Sequence, residues 1–241
     1  MMVLLVLVVL SFCSAAKIPS NWKPCKLNDP DHNECMKKSI QGTLPDFLKG
    51  MPKFGISTID PLHFDFIGIS QGDGPVSINL SFKNLDILNI RNGWVDKVTN
   101  DWKTLIIEVK VPSIEIKGDY NISGKVLVLP IVGNGKSHLK LDNFYGKMVA
   151  KIVEKNVKGK TYYHIDDMKC QVDCNPLRIK FENMFNGNKP LSDQMNLFLN
   201  ENWREIFREV EPAFSQAFSQ SFKGIANRIF SRIPKNEITP P

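Results

Sequence analysis

The chain has 241 residues, 42% hydrophobic and 23% charged, which excludes a disordered tail, a collagen-like fibre and a polytopic membrane protein. Lysine and arginine outnumber aspartate and glutamate by 31 to 25, and the resulting net charge of +6 is too thin for a dedicated nucleic-acid binder. Composition alone leaves one soluble domain, or two, of open function.

Val3 to Phe12 is apolar apart from Ser11, and Ser14, Ala15 and Ala16 follow in a small-residue cleavage pattern. Residues 1–16 therefore read as a secretory signal, too short for the ~20 apolar residues of a bilayer span. The mature domain, 17–241, is expected in an extracellular fluid, without an anchor. Loss of Cys13 with the signal leaves Cys25, Cys35, Cys170 and Cys174. An irregular turn, Asn28-Asp29-Pro30-Asp31, brings Cys25 to Cys35, and closing so short a loop contributes about 2–3 kcal/mol. Cys170 and Cys174 pair only across a bend, since four residues of regular strand separate Cα atoms by about 13 Å and a disulfide spans less than about 7 Å. No histidine lies at ligand spacing from them, so no metal is expected.

Between Glu34 and Lys49, Met36, Ile40, Leu44, Phe47 and Leu48 recur at helical spacing, with Pro45 expected to break or kink the run. From Phe64 to about Met184 the pattern alternates, as in Val76, Ile78, Leu80 and Phe82, which predicts half-buried antiparallel strands. Turns are expected at Gly72 to Pro75, Asn92-Gly93, Gly133-Asn134-Gly135 and Lys158-Gly159. The glycosylation sequons at Asn79 and Asn121 alternate with apolar neighbours and should point outward. From Pro190 to Pro234, Met195, Leu199, Trp203, Phe207, Phe214, Phe218, Ile225 and Ile229 share one face of a predicted continuous helix. Ser192 is its expected cap, and Pro212 its expected kink. Its length makes the protein elongated.

At this point the chain resembles the insect takeout and juvenile-hormone-binding protein family over essentially the whole mature sequence. The resemblance is carried by Cys25 and Cys35, by Gly55-Ile56-Ser57 before Ile59-Asp60-Pro61-Leu62, and by Gly118-Asp119-Tyr120 before the run Leu127 to Gly135. Phe185-Asn186-Gly187 and Phe198 to Trp203 complete it. It implies an α+β fold: a highly curved antiparallel β-sheet wrapped around one long C-terminal α-helix, tubular lipid-binding (TULIP-like), in a single elongated domain. It also implies an internal apolar tunnel, with Phe64, Phe66, Tyr120, Leu127, Leu129, Phe144, Met195, Leu199, Trp203, Phe207, Phe214, Phe218 and Phe222 in its wall. Hormone-binding members tie a strand to the C-terminal helix with a second disulfide. No cysteine follows Cys174, which places this chain nearer the takeout branch.

The expected function is that of a secreted, monomeric carrier of a hydrophobic small molecule, such as a juvenile-hormone-like terpenoid, a fatty acid or another lipid. Odorant, hormone or lipid signalling is its expected setting. It requires no cofactor, no nucleic acid and only transient membrane contact. Tyr120, in register with Ile114, Ile116 and Ile122, is expected to offer its hydroxyl to the ligand or an internal water. Two rival readings stand beside it. Lys147, Lys151, Lys155, Lys158 and Lys160, with Lys223, Arg228, Arg232 and Lys235, fit a lipid-binding defence protein docking on anionic membranes. A secreted esterase is the more distant one, since the chain has no GxSxG or HExxH motif and its four histidines are scattered.

Overall fold

A computed structural model of the protein describes residues 17–72 and 74–241. The expected signal segment, 1–16, lies outside these described residues.

The first helix, α1 (His32–Lys49), continues unbroken past Pro45, where the sequence suggested a break or kink, and stops at Gly50. Packing explains the difference. Met36 and Ile40 before the proline and Phe47 after it are all held in apolar clusters, which offsets the ~3 kcal/mol that an interior proline costs. A disulfide joins Cys25 to Cys35, tying the preceding loop to the first turn of α1.

Alternating residues then form β1 (Leu62–Gln71), β2 (Val76–Leu88), β3 (Trp94–Asn100), β4 (Thr104–Val126), β5 (Leu129–Val157), β6 (Lys160–Asp173) and β7 (Leu177–Phe181). They make one seven-stranded antiparallel sheet in the order β1-β2-β4-β5-β6, with β3 also on β4 and β7 also on β5. Two very long strands, β4 and β5, are paired to each other from Thr104↔Lys151 to Val126↔Leu129. Register shifts at Lys83/Asp86, Val95/Lys97 and Lys151/Ile152 insert extra residues that bend the strands and curl the sheet.

The β4–β5 hairpin turns at Leu127-Val128, with Leu127 in the left-handed region, and not at Gly133-Asn134-Gly135. Those glycines sit inside β5 because neighbouring chain comes too close for any side chain. A Cβ on Gly133 would lie 2.6 Å from the Tyr120 hydroxyl, and one on Gly135 2.6 Å from the Glu182 carbonyl.

The C-terminal segment forms α2 (Lys189–Glu201), α3 (Trp203–Phe230) and the short α4 (Lys235–Ile238). The predicted single helix is thus divided at Asn202, whose side-chain amide donates to the Phe198 carbonyl 2.8 Å away, while α3 carries Pro212 on an exposed face without interruption. Asn188, rather than Ser192, caps α2 by accepting the Leu191 N–H; Ser192 is buried and donates to the Met184 carbonyl. At 28 residues and 1.5 Å each, α3 alone is about 42 Å long, so the domain is elongated. The curled sheet wraps this helix, and the main core lies between them.

Candidate functional site

The helix meets the sheet through two stripes that run side by side. Ile206, Val210, Phe214, Phe218 and Phe222 recur every fourth residue and face the hollow of the sheet. Glu211, Ser215, Ser219, Lys223 and Asn227 follow one residue later, about 100° round the axis, and face the edge of β6.

That second stripe bonds to the strand's free backbone. Asn227 accepts the Ile165 N–H at 2.8 Å and donates to the Ile165 carbonyl at 3.0 Å. Ser219 Oγ accepts the Cys170 N–H at 2.8 Å, Glu211 accepts the Val172 N–H at 2.9 Å, and Lys223 donates to the Asp166 carbonyl. On α2, Asn200 and Asn196 make the same two-way bonds to Ile179 and Phe181 of β7. The geometry is commensurate: four helical residues rise about 6 Å and two strand residues about 6.7 Å. Side-chain amides thereby replace a missing neighbouring strand.

Between the first stripe and the sheet lies an elongated cavity of about 200 Å³. Besides the helix residues, its wall is built by Leu80 and Phe82 of β2, Val111 and Ile122 of β4, Leu141 and Phe144 of β5, and Ile179 of β7. Lys147 and Gln171 also touch it. They alternate with Gly146, Met148, Cys170 and Val172 along their strands, a register that sends both polar side chains to the outer face. Among the described residues, no buried side-chain polar atom is left without a partner. The wall therefore presents a ligand with hydrocarbon and aromatic surface and no waiting polar side chain.

Of the residues expected in the wall, Phe144, Leu199, Phe207, Phe214, Phe218 and Phe222 are there. Phe64 stands just behind it, its ring centroid 5.8 Å from that of Phe218. Met195 is core, Trp203 is half-buried under the Arg204 guanidinium, and Leu127 and Leu129 pack at the hairpin end. Phe66 lies outside, 59% exposed. The cause is the bulge at Lys83/Asp86: Phe82 and Leu85 both point inward across it, so the alternation of β1 changes face beside it and Ile67, not Phe66, turns in.

Tyr120 is inward and 3% exposed, as are its buried neighbours Ile114, Ile116 and Ile122, but its hydroxyl donates to the Glu182 carbonyl at 2.7 Å and the residue does not line the cavity. Its ring packs tilted against Phe181, centroids 4.4 Å apart, and burial, with the nearby Glu182 charge, pushes its pKa up to about 12. Cys170 and Cys174 are buried free thiols and not a second disulfide. Burial pushes both up, Cys174 to about 12, so at neutral pH they stay protonated and weakly nucleophilic.

Asn79 and Asn121 are both exposed, on adjacent strands, where Asn79 faces Ser123 and Asn121 faces Ser81. His63 and His138 pair with Asp86 and Glu115 on the outer surface, away from the cavity. Among the described residues no group of His, Cys, Asp or Glu is placed to hold a metal, and no helix is long and apolar enough to cross a membrane.

A curled sheet closed over a helix around an apolar cavity defines a binding protein for hydrophobic molecules. The chain belongs to the haemolymph juvenile hormone binding protein (JHBP) family, whose pattern it matches over residues 2–240. It is 27% identical over 231 residues to the circadian clock-controlled protein daywake of Drosophila melanogaster, covering 91% of this chain and 87% of that one. The daywake protein of Drosophila yakuba is 25% identical over 232 residues, with the same coverage. The crystal structure of Epiphyas postvittana Takeout 1 superposes with a TM-score of 0.79 at 27% identity, covering 90% of this chain and 99% of that chain.

Proposed function

We propose that this chain is a secreted, non-enzymatic, monomeric carrier that encloses one small or long-chain hydrophobic ligand between α3 and the sheet. The observation that carries this reading is the wall itself, an elongated cavity of about 200 Å³ lined by Ile, Val, Leu and Phe. Each methylene moved from water into such a wall contributes about 0.8 kcal/mol, so a chain of modest length binds without any polar anchor. Terpenoids of the juvenile hormone kind, esters and the chains of other lipids fit this chemistry. A free carboxylate does not, unless its head stays outside, because burying an unpaired charge is far costlier than the chain can offset. The description of the family supports the same class of ligand.

The defence-protein reading is weakened at the C-terminal tail. Lys223, Arg228 and Arg232 donate to the carbonyls of Asp166, Gly55 and Lys53, and Lys235 pairs with Glu154, so these cations are engaged within the fold. These bonds support the carrier reading, in which membrane contact is no more than transient.

The test is binding of the neutral fluorophore N-phenyl-1-naphthylamine to purified residues 17–241, with displacement by long-chain alcohols and terpenoid esters. Displacement that strengthens with chain length is the expected result. No uptake of the fluorophore, together with no lipid in an organic extract of the secreted protein, would overturn the carrier reading.

A further inference from the structure

Basic residues on the outer face of the sheet fall into two populations. Across the middle of β4 and β5 they are answered by a neighbouring carboxylate: Lys117 pairs with Glu115, Lys136 with Asp119, and Lys140 and Arg178 with Asp142. Toward the β5–β6 turn they are not. Among the described residues, no ion pair engages Lys147, Lys151, Lys155, Lys158, Lys160 or Lys169. Asp167 stands across from Lys151 without closing on it, and Glu154 is taken by Lys235 of α4.

Strand register gathers these lysines on one face. Phe144, Gly146 and Met148 line the cavity and Ala150 is buried, so the alternate residues of β5 point outward, and they read Lys147, Val149, Lys151, Val153, Lys155, Val157. On β6, Lys169 stands beside Val149, Tyr162 beside Lys155 and Lys160 beside Val157. Pairing of β5 with β4 ends at Thr104↔Lys151, so residues 152–165 form a ribbon in which, among the described residues, β5 and β6 pair only with each other. The outer face of this ribbon is open: Val153 is 37% and Val157 52% exposed, and Lys151, Lys155, Lys158 and Lys160 are exposed with them. Guarding a free edge does not account for the pattern. Lys147 has a strand on either side, and the β6 edge next to Lys169 is closed by Ser219 of α3.

We propose that the outer face of the β5–β6 ribbon is a docking surface for anionic membranes, on which the carrier rests while it exchanges ligand with the lipid. This relies on the carrier reading for its purpose, but the docking belongs to the empty protein as well. Cations alone would suit any polyanion; the valines set between them favour a lipid. A lysine at a bilayer surface reaches the headgroup phosphates while its stem lies along apolar surface, and Val149, Val153, Val157 and the Tyr162 ring enter the interfacial layer beside it. Lipid anions move laterally and so meet lysines spaced along a ribbon without needing fixed positions of their own. The positive field is felt by His164, whose pKa lies below its ordinary value through burial first and the Lys155 charge next. Attraction of this kind fades within a Debye length, about 8 Å at physiological salt, so the contact is reversible.

Co-sedimentation of purified residues 17–241 with vesicles tests it. Binding is expected to phosphatidylcholine vesicles carrying about a third phosphatidylglycerol, to fade between about 0.1 and about 0.5 M salt, and to be absent with phosphatidylcholine alone. Lys155→Gln with Lys160→Gln should weaken it about 25-fold, at about fivefold per lysine. Lys117→Gln with Lys136→Gln removes the same charge from the paired population and should change it by no more than about threefold. Val153→Ser with Val157→Ser keeps every charge and should weaken vesicle binding by about threefold or more while leaving capture by heparin unaltered. All variants are compared where circular dichroism shows them folded. No binding to the anionic vesicles, equal binding to phosphatidylcholine alone, equal losses from the two lysine pairs, or indifference to the valine changes would each overturn the docking face. Failure of the carrier reading appears separately, as absence of fluorophore uptake in vesicle-free solution, which the Lys155 and Lys160 changes should leave intact.

Discussion

The two flanks of α3 do the same job by opposite means. On one, Glu211, Ser219, Lys223 and Asn227 bond to the backbone of β6; on the other, Ala213 and Ala217 pack against the core through surface alone. A buried backbone group that loses its partner costs about 1–3 kcal/mol, so the bonded flank has one register and resists parting. Apolar contact falls away gradually and reforms without choosing partners. The lesson is that hydrogen bonds on one flank fix where the helix lies, while the other flank adds burial without fixing a register.

The largest expected effect comes from the bonded flank. Asn196→Ala combined with Asn200→Ala strips the Ile179 and Phe181 backbone of its partners and should lower unfolding stability by about 2–4 kcal/mol in urea titration. A loss no greater than that of an exposed-site control would erase the contrast between the flanks. Next comes the stripe between them. Phe214→Trp overfills the cavity and should weaken fluorophore binding about tenfold while costing about 1–3 kcal/mol in stability. Unchanged affinity in the folded variant would mean that the ligand lies elsewhere.

Smaller is Tyr120→Phe, which removes one bond to the Glu182 carbonyl and should cost about 1 kcal/mol with fluorophore affinity unaltered. A selective loss of carbonyl-bearing ligands would restore the polar contact with ligand expected from the sequence. The smallest effect is titration of His63, whose bond to Asp86 joins β1 to β2 and raises its pKa above the ordinary value of 6.5. Because the folded value is the higher one, this contribution is complete below about pH 6.5 and fades as pH rises through the raised value. His63→Gln should flatten that slope in melting temperature between about pH 5.5 and 8.

Much of this was legible in the sequence, and the failures share a cause. The aromatic stripe of α3 and the alternation of β2 and β4 follow from periods of 3.6 and 2, whereas the place of Phe207, Phe214, Phe218 and Phe222 at a cavity, where they do lie, was implied only by the family resemblance. Phe66 was misplaced because alternation cannot be carried across a bulge, and nothing local marks Asn84, with its φ of 48°, as the place where it stops. Gly133 and Gly135 look like a turn when the chain pressing on them is 50 residues away in sequence, at Glu182 and Met184. The polar stripe was overlooked although Glu211, Ser215, Ser219, Lys223 and Asn227 stand at strict fourfold spacing. Polar residues on a helix suggest solvent by default, and only a strand edge beside them turns the pattern into a seam.

That spacing constrains how the gene can change in length. The cavity stripe, the bonding stripe and the alanine flank are set about 100° apart, which is the turn contributed by a single helical residue. Deleting one residue between Glu211 and Phe214 would rotate Ser219, Lys223 and Asn227 into the apolar hollow. Inserting one would send them to solvent and press the phenylalanines against bare strand backbone. Substitutions can be absorbed stripe by stripe, but a frame-preserving insertion or deletion there exchanges all three roles at once, so length variation between descendants of this chain should be confined to its turns.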